Sequence, residues 1–388
     1  MTSNDLPQGM APNTISLLFG HPDPAILLTS ELRAAMQHML SSPQAISALQ
    51  YGPEPGTRSL IDFLVDKINR EQALSIRPEN LMLVAGSTHA VDMLARLYAT
   101  PDSVVLVEAP TYADTLHIFR DHHIELCSIP MDGYGLIPEE LEQQVARLKA
   151  SGKHPVFLYT IPNFHNPTGI TLTGARRSEI IRLARQYNFL IVEDDVYRDL
   201  SFECAVPASF YQPADGDHVF SIGSFSKTLA PGLRLGWLLA SEENIQRCVN
   251  CGTTQMGGGA NPFAANIVAA YCREGYWEAH ISRLQSLYKM RRDLALSALE
   301  QHMPSDVKWT HPAGGFFIWL TLPQNVFAQH VKRVALQKGV SLAAGAGFFV
   351  HPADGEHNLR LAYSCAAPAD IDIGIRILAQ VIDSSRQE

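Results

Sequence analysis

Phe189-Leu190-Ile191-Val192-Glu193-Asp194-Asp195-Val196-Tyr197 is a short apolar run that stops in three consecutive acids. Four apolar residues without polar alternation read as a strand buried on both faces. Three carboxylates together are costly to bury, so at least one requires a cationic partner. The same pattern of apolar run and polar end repeats outward from this segment. Residues 81–84, 104–107 and 156–159 read as strands, interleaved with helical patterns over 88–98, 113–122 and 173–187. Beyond it, 218–222 and 235–239 are strands with no long helix between them. This alternation predicts an α/β fold, a mostly parallel sheet with helices on both faces. Ligands on such sheets sit at the carboxyl ends of the strands, where the polar motifs fall.

The pattern changes after residue 276. One long helix over 277–303 precedes strands at 316–320 and 359–361 and helices near 326–338 and 369–382. These form a smaller α+β unit. The expected division is an N-terminal segment, 1–45, packing with the small unit, a large domain, 46–275, and a small domain, 276–388. A chain of 388 residues with 46% apolar and 18% charged residues can build more than one core. Lys plus Arg number 30 against 39 acids, a formal charge of −9, and the densest basic pairs are Arg176-Arg177 and Arg291-Arg292. That argues against a nucleic-acid surface. Met1-Thr2-Ser3-Asn4-Asp5 lacks the charged and apolar regions of a signal peptide, and no run approaches the roughly 18 apolar residues of a membrane span. A cytoplasmic protein without a membrane partner is expected. Six cysteines make no disulfide framework; Cys248 and Cys251 read as two thiols near one face of a helix, not a metal site.

Chemistry concentrates at strand ends. Ile222-Gly223-Ser224-Phe225-Ser226-Lys227-Thr228 sets Lys227 just past a strand, amid hydroxyls, with Arg234 seven residues on. Such a lysine is either a snorkelling surface residue or a desolvated amine able to form a Schiff base. Ser224-x-x-Lys227 also matches a serine acyl-enzyme motif, but Leu229 follows Lys227-Thr228 where that family has Gly, and no Ser-Asp-Asn occurs. Ala85-Gly86-Ser87-Thr88 joins strand to helix and offers free backbone N–H groups to an anion. Asn163-Phe164-His165-Asn166-Pro167-Thr168-Gly169 is a turn by its Asn-Pro and Gly content. The acids at 193–195 suit a helix N-terminus as well as a site, and no metal-ligand spacing accompanies them.

Together these segments resemble the fold-type-I pyridoxal-phosphate aminotransferases, nearest the α-aminoadipate, kynurenine and aromatic or multi-substrate subgroup. The same domain occurs in MocR-type regulators. The resemblance spans about Ile15 to Ile382. It rests on Gly20-x-Pro22-Asp23-Pro24, Tyr51-Gly52, Gly86-Ser87, Asn166-Pro167-Thr168-Gly169, Asp194-Asp195-x-Tyr197, Ser224-x-Ser226-Lys227 and Arg360-Leu361 in the expected order. It implies a mixed, seven-stranded sheet between helices, and pyridoxal 5′-phosphate as cofactor. Lys227 resembles the Schiff-base lysine and proton carrier, and Asp194 the acid facing the pyridine nitrogen. Asn166 and Tyr197 are implied at the ring oxygen. Ser87, Thr88, Ser224, Ser226 and Arg234 are implied at the phosphate, and Tyr112 against the ring face. Tyr51 resembles a tyrosine that reaches the neighbouring subunit's phosphate, implying a homodimer with shared sites. Arg360 is implied at the substrate α-carboxylate, with Asn166 and Gly20 beside it.

The chain departs from the subgroup's pattern with Thr88 and His165 where Gln is usual, and Ala344 before Gly345 where Pro is usual. His165 either packs beside its turn or touches the substrate pocket. The expected activity is ping-pong transfer of an α-amino group between an amino acid and a 2-oxo acid. The alternatives are another chemistry on the same cofactor (elimination, decarboxylation, cyclisation or oxidation) and a non-catalytic sensor of the MocR type. The sensor is disfavoured by the lack of a basic helix-turn-helix before Ile15 and by the complete catalytic set. The first 32 residues contain no Lys or Arg. Phe19, His21, Phe164 and His165 are the entrance candidates, so a neutral substrate side chain is expected.

Overall fold

The computed structural model describes residues 14–43, 45–203 and 205–386. In chain order the strands are β1 (Ile15–Ser16), β2 (Leu81–Val84), β3 (Ser103–Ala109), β4 (Glu125–Asp132), β5 (Gly135–Leu136), β6 (His154–Thr160) and β7 (Leu190–Asp194). They continue with β8 (Val219–Ser224), β9 (Gly236–Leu239), β10 (Lys308–Trp309), β11 (Phe317–Thr321), β12 (Val340–Ser341), β13 (Ala343–Ala344) and β14 (Asn358–Ala362). Strands β2 to β9 form one sheet in the order β2-β9-β8-β7-β6-β3-β4-β5. The seven expected strands are thus joined by an eighth, the two-residue β5, which folds back antiparallel on β4. Strand β4 has no sequence signature because only Ile129 of its residues is fully buried and Pro130 falls near its end.

From β8 through β7, β6 and β3 to β4 every pairing is parallel. Only residues 225–235 separate β8 from β9, too few for a helical crossover, so β9 returns antiparallel. Strand β2 is in turn antiparallel to β9 and so runs with β8. The carboxyl ends of β2, β3, β6, β7 and β8 therefore share one edge of the sheet.

The C-terminal unit has the sheet order β10-β11-β14-β13. Its long helix, Tyr276–His302, starts after Gly275 at φ 73° and packs along the last helix, Pro368–Ser384. Strand β1 pairs in parallel with β12, and Ala362 N–H donates to Leu17 O at 2.8 Å. Residues 15–17 thus join this unit, whereas the helix Ser30–Leu40 of the same segment buries Leu32, Ala35 and Met39 in the other core, against the helix Pro262–Arg273; residues 1–13 and 44 of that segment lie outside the described residues. The cysteine expectation needs correction. The helix Glu242–Val249 ends before Cys251, which opens the next turn, because the Asn250 N–H closes the helix on Gln246 O. Both thiols are buried and free.

The three acids part company because strand side chains alternate between faces. Glu193 lies 3.9 Å from Arg177 and accepts the Phe210 N–H at 3.0 Å. Asp195 accepts from Arg198 Nε at 2.5 Å and Asn163 Nδ2 at 2.6 Å. The required cations are present, and Arg177, half of a basic pair in sequence, proves fully buried. Its guanidinium donates to the carbonyls of Leu172, Ala208 and Pro162 and to Asn163 Oδ1. Arg177 therefore ties the loop after β6 to the end of β7. Arg177→Ala leaves buried Glu193 with only the weaker influence of Arg198 and is expected to cost about 3–5 kcal/mol in urea unfolding. A loss below about 1 kcal/mol contradicts this role.

Candidate active site

A cavity of about 200 Å³ opens at the shared carboxyl edge, lined by Ser87, Thr88, Tyr112, Asn166, Asp194, Tyr197, Ser226, Lys227 and Arg234. An adjoining cavity of about 260 Å³ shares Tyr112, Asn166, Tyr197 and Lys227 and adds Phe19, Gly20, Asp114, Phe317, Phe348 and Arg360. The fold thus brings together residues spread over more than 300 positions.

Asp194 ends β7, and its Oδ2 accepts the Tyr159 hydroxyl at 2.6 Å; Thr115 Oγ1 donates to that hydroxyl at 3.1 Å. Asp194 Oδ1 is buried without a hydrogen-bond partner. Burial pushes the Asp194 carboxyl up to about 6, against the pull of the Tyr159 hydrogen bond. The Lys227 amine is lowered to about 8 by burial, with Asp194 opposing and Arg360 assisting. Its Nζ donates to Gly20 O at 3.3 Å. A Cβ on Gly20 would sit 2.2 Å from the Phe317 ring, so only glycine lets this carbonyl approach the lysine.

Arg360, on β14, lies over the rings of Phe317 and Phe348 at 4.5 and 4.9 Å. Its Nη1 donates to Asn166 Oδ1 at 2.9 Å and its Nη2 to Leu18 O at 2.7 Å, while Nε is buried without a partner. Burial lowers the guanidinium to about 10. Burial likewise raises Tyr197, and its hydrogen bond with Asn166 acts the other way.

At the other end, the helix Ser87–Tyr98 begins at Gly86, which provides no side-chain cap. Gly86 has φ +86°, and a Cβ there would lie 2.8 Å from Arg234 Nη2. Arg234 itself adopts a left-handed conformation, φ 47°, and reaches Ala85 O at 3.4 Å. Ser87, Thr88, Ser226 and Arg234 thereby form a cradle of hydrogen-bond donors.

Three expected residues lie elsewhere. Ser224 does not line the cavity; its Oγ accepts the Ser226 N–H at 3.0 Å and braces the turn. Tyr51 is 88% exposed and lines a neighbouring depression together with Arg234. His165 is buried beneath its turn, with Nδ1 2.9 Å from Thr168 Oγ1 and Nε2 3.1 Å from Glu108 Oε2. It packs, as does Phe164, and neither lines the cavities. Tyr159 and Thr115 had no sequence signal. Their meeting with Asp194 depends on β6 lying beside β7.

Residues 23–378 match the family model for aminotransferase class I and II. The chain belongs to that family. It is 34% identical over 370 residues to an aromatic-amino-acid aminotransferase of Thermococcus litoralis, covering 95% of this chain and 88% of the relative. A 2-aminoadipate transaminase of Thermus thermophilus is 31% identical, over 96% of this chain and 90% of the relative. The crystal structure of Pyrococcus horikoshii kynurenine aminotransferase with PMP superposes with a TM-score of 0.91 at 33% identity, covering 96% and 91% of the two chains. The protein is a pyridoxal-phosphate-dependent aminotransferase of fold type I. Its own geometry fits that cofactor. The partnerless Asp194 Oδ1 suits a ring N–H, and the cradle that a Cβ on Gly86 would obstruct suits a phosphate.

Because the Lys227 amine is nucleophilic only when neutral, cofactor capture by apo-protein should accelerate about tenfold per pH unit up to about 8 and then level. Stopped-flow absorbance against pH measures this. A break near 10.5 would mean an ordinary solvated lysine.

Proposed function

We propose that the enzyme takes the α-amino group of a neutral, aliphatic or aromatic L-amino acid and passes it to a 2-oxo acid. The two half-reactions share one site and a Lys227 Schiff base, in ping-pong order. One observation carries the reading: Lys227, Asp194 and Arg360 converge on adjoining cavities, and no other described Lys or Arg lines the substrate end.

When bound, pyridoxal phosphate supplies an electron sink for charge developing at the substrate α-carbon. The chain's residues do the rest. Asp194 Oδ1 holds a proton at the ring nitrogen, and Tyr159 on Oδ2 fixes the carboxylate's direction. Asn166 and Tyr197 would serve the ring oxygen, and Tyr112, on the cavity wall, would pack against the ring. The cradle at Ser87, Thr88, Ser226 and Arg234 grips the phosphate, while Ser224 keeps the Ser226 turn in shape. Lys227 would hold the cofactor and could carry the proton at the substrate α-carbon, a task suited to an amine whose hold on a proton is weakened by burial. Arg360 retains its free Nε–H and the remaining Nη hydrogens for the α-carboxylate, next to Asn166 and Gly20.

The proposal includes a cytoplasmic homodimer. Ile46, Leu49, Tyr51 and Met256 are each more than 70% exposed, an apolar surface beside Arg234 suited to a second copy. Tyr51 would there serve the partner's phosphate. The division into 1–45, 46–275 and 276–388 is supported by the confinement of the larger sheet to residues 81–239.

Amino donor without acceptor should accumulate pyridoxamine phosphate, read as loss of the cofactor's visible absorbance; its absence for every donor refutes transamination of amino acids. Lys227→Ala should retain phosphate-end binding yet slow this half-reaction on the order of a thousandfold. Asp194→Asn should lose about a hundredfold or more. Asp195→Asn should lose less than tenfold, since Asp195 is held by Arg198 and Asn163 away from the cavity. The reverse ranking of the two Asp variants would reassign the ring acid.

A further inference from the structure

Asp114 is the second residue of the helix Ala113–Asp121 and is exposed, yet it lines the same 260 Å³ cavity as Arg360. An acid in the first turn complements the helix dipole, which accounts for the residue type. The dipole does not account for its direction. Asp114 Oδ2 accepts the Tyr112 hydroxyl at 2.5 Å, which holds the carboxylate against the cavity wall. Burial, first, and this carboxylate, second, raise the Tyr112 phenol, so it remains the donor.

The charges around the cavity can be assigned one by one. Lys227 is committed to the cofactor and Arg360 to the α-carboxylate. His21 is kept neutral by burial and by the cations Lys227 and Arg360. Phe19, Phe317 and Phe348 are apolar. Among the described residues lining this cavity, the formal charge left to face a substrate side chain is that of Asp114, which also acts on Lys227 and Arg360.

We infer that Asp114 is a specificity-determining residue that rejects donors and acceptors with a distal carboxylate, leaving the aromatic wall to neutral side chains. The inference rests on the reading that Arg360 takes the α-carboxylate. Two unit charges about 6 Å apart at an effective dielectric of about 40 repel enough to weaken binding about tenfold.

The test uses cofactor-loaded protein and two non-reacting ligands, glutarate and 3-phenylpropionate. Both carry a carboxylate for Arg360 and differ at the distal end. Wild type should bind 3-phenylpropionate more tightly than glutarate by calorimetry. Asp114→Asn keeps an oxygen for the Tyr112 hydroxyl while removing the charge. Because the Asp114 charge also reaches Arg360, both ligands gain somewhat, but glutarate should tighten about tenfold more than 3-phenylpropionate. Unchanged glutarate affinity in the variant overturns the inference, as does an equal shift for both ligands or tighter glutarate in wild type. These are binding measurements. If the expected pattern appears while no amino donor yields pyridoxamine phosphate, Asp114 keeps its role and only the proposed reaction fails.

Discussion

A carboxylate taken out of water needs a reason, and at Asp194 the reason organises the site. One oxygen is tied to Tyr159 and the other is buried with nothing from the protein to bond. Such an arrangement is unfavourable in isolation, and burial accordingly raises the pKa of the carboxyl. It becomes favourable only with a proton donor in the cavity. The sheet order, the buried β7, and the Thr115–Tyr159 relay all serve to hold that oxygen open toward one point.

Lys227 is the complement of this arrangement. Burial weakens its hold on a proton while the Asp194 charge strengthens it, and the balance leaves an amine that can act as nucleophile and base near neutral pH. The same low-dielectric setting strengthens the grip of Arg360 on any anion placed before it. Burial in one pocket, walled by both sheets, therefore shifts acid, base and anchor together.

Much of this was legible in the sequence. The alternation of apolar runs and helical patterns revealed the sheet. The motifs at 85–88, 166–169, 194–197 and 224–227 identified most of the cavity walls, because local turns fix where those side chains go. What stayed hidden depends on neighbours distant in sequence. Tyr159 looks like any strand residue until β6 is set beside β7. Ser224 and His165 sit inside recognisable motifs, yet each is used for packing its own turn, a matter of rotamer and burial that spacing does not reveal. Asp114 reads as a helix-start acid until the Tyr112 hydroxyl turns it toward the cavity.

The short return from β8 to β9 carries a mechanical consequence. Lys227 and Arg234 both ride on residues 225–235, pinned at each end by strands of one sheet, so the amine and the phosphate-side guanidinium keep a fixed separation. Arg360 belongs instead to the four-stranded sheet, and Gly20 to the chain that follows β1, the strand paired with β12. Sliding one sheet against the other would strain the Lys227–Gly20 and Arg360–Asn166 hydrogen bonds together, because both cross from one unit to the other. Whatever displaces the Arg360 end of the pocket is thereby felt at the lysine, so the two units register each other's position through a pair of single hydrogen bonds.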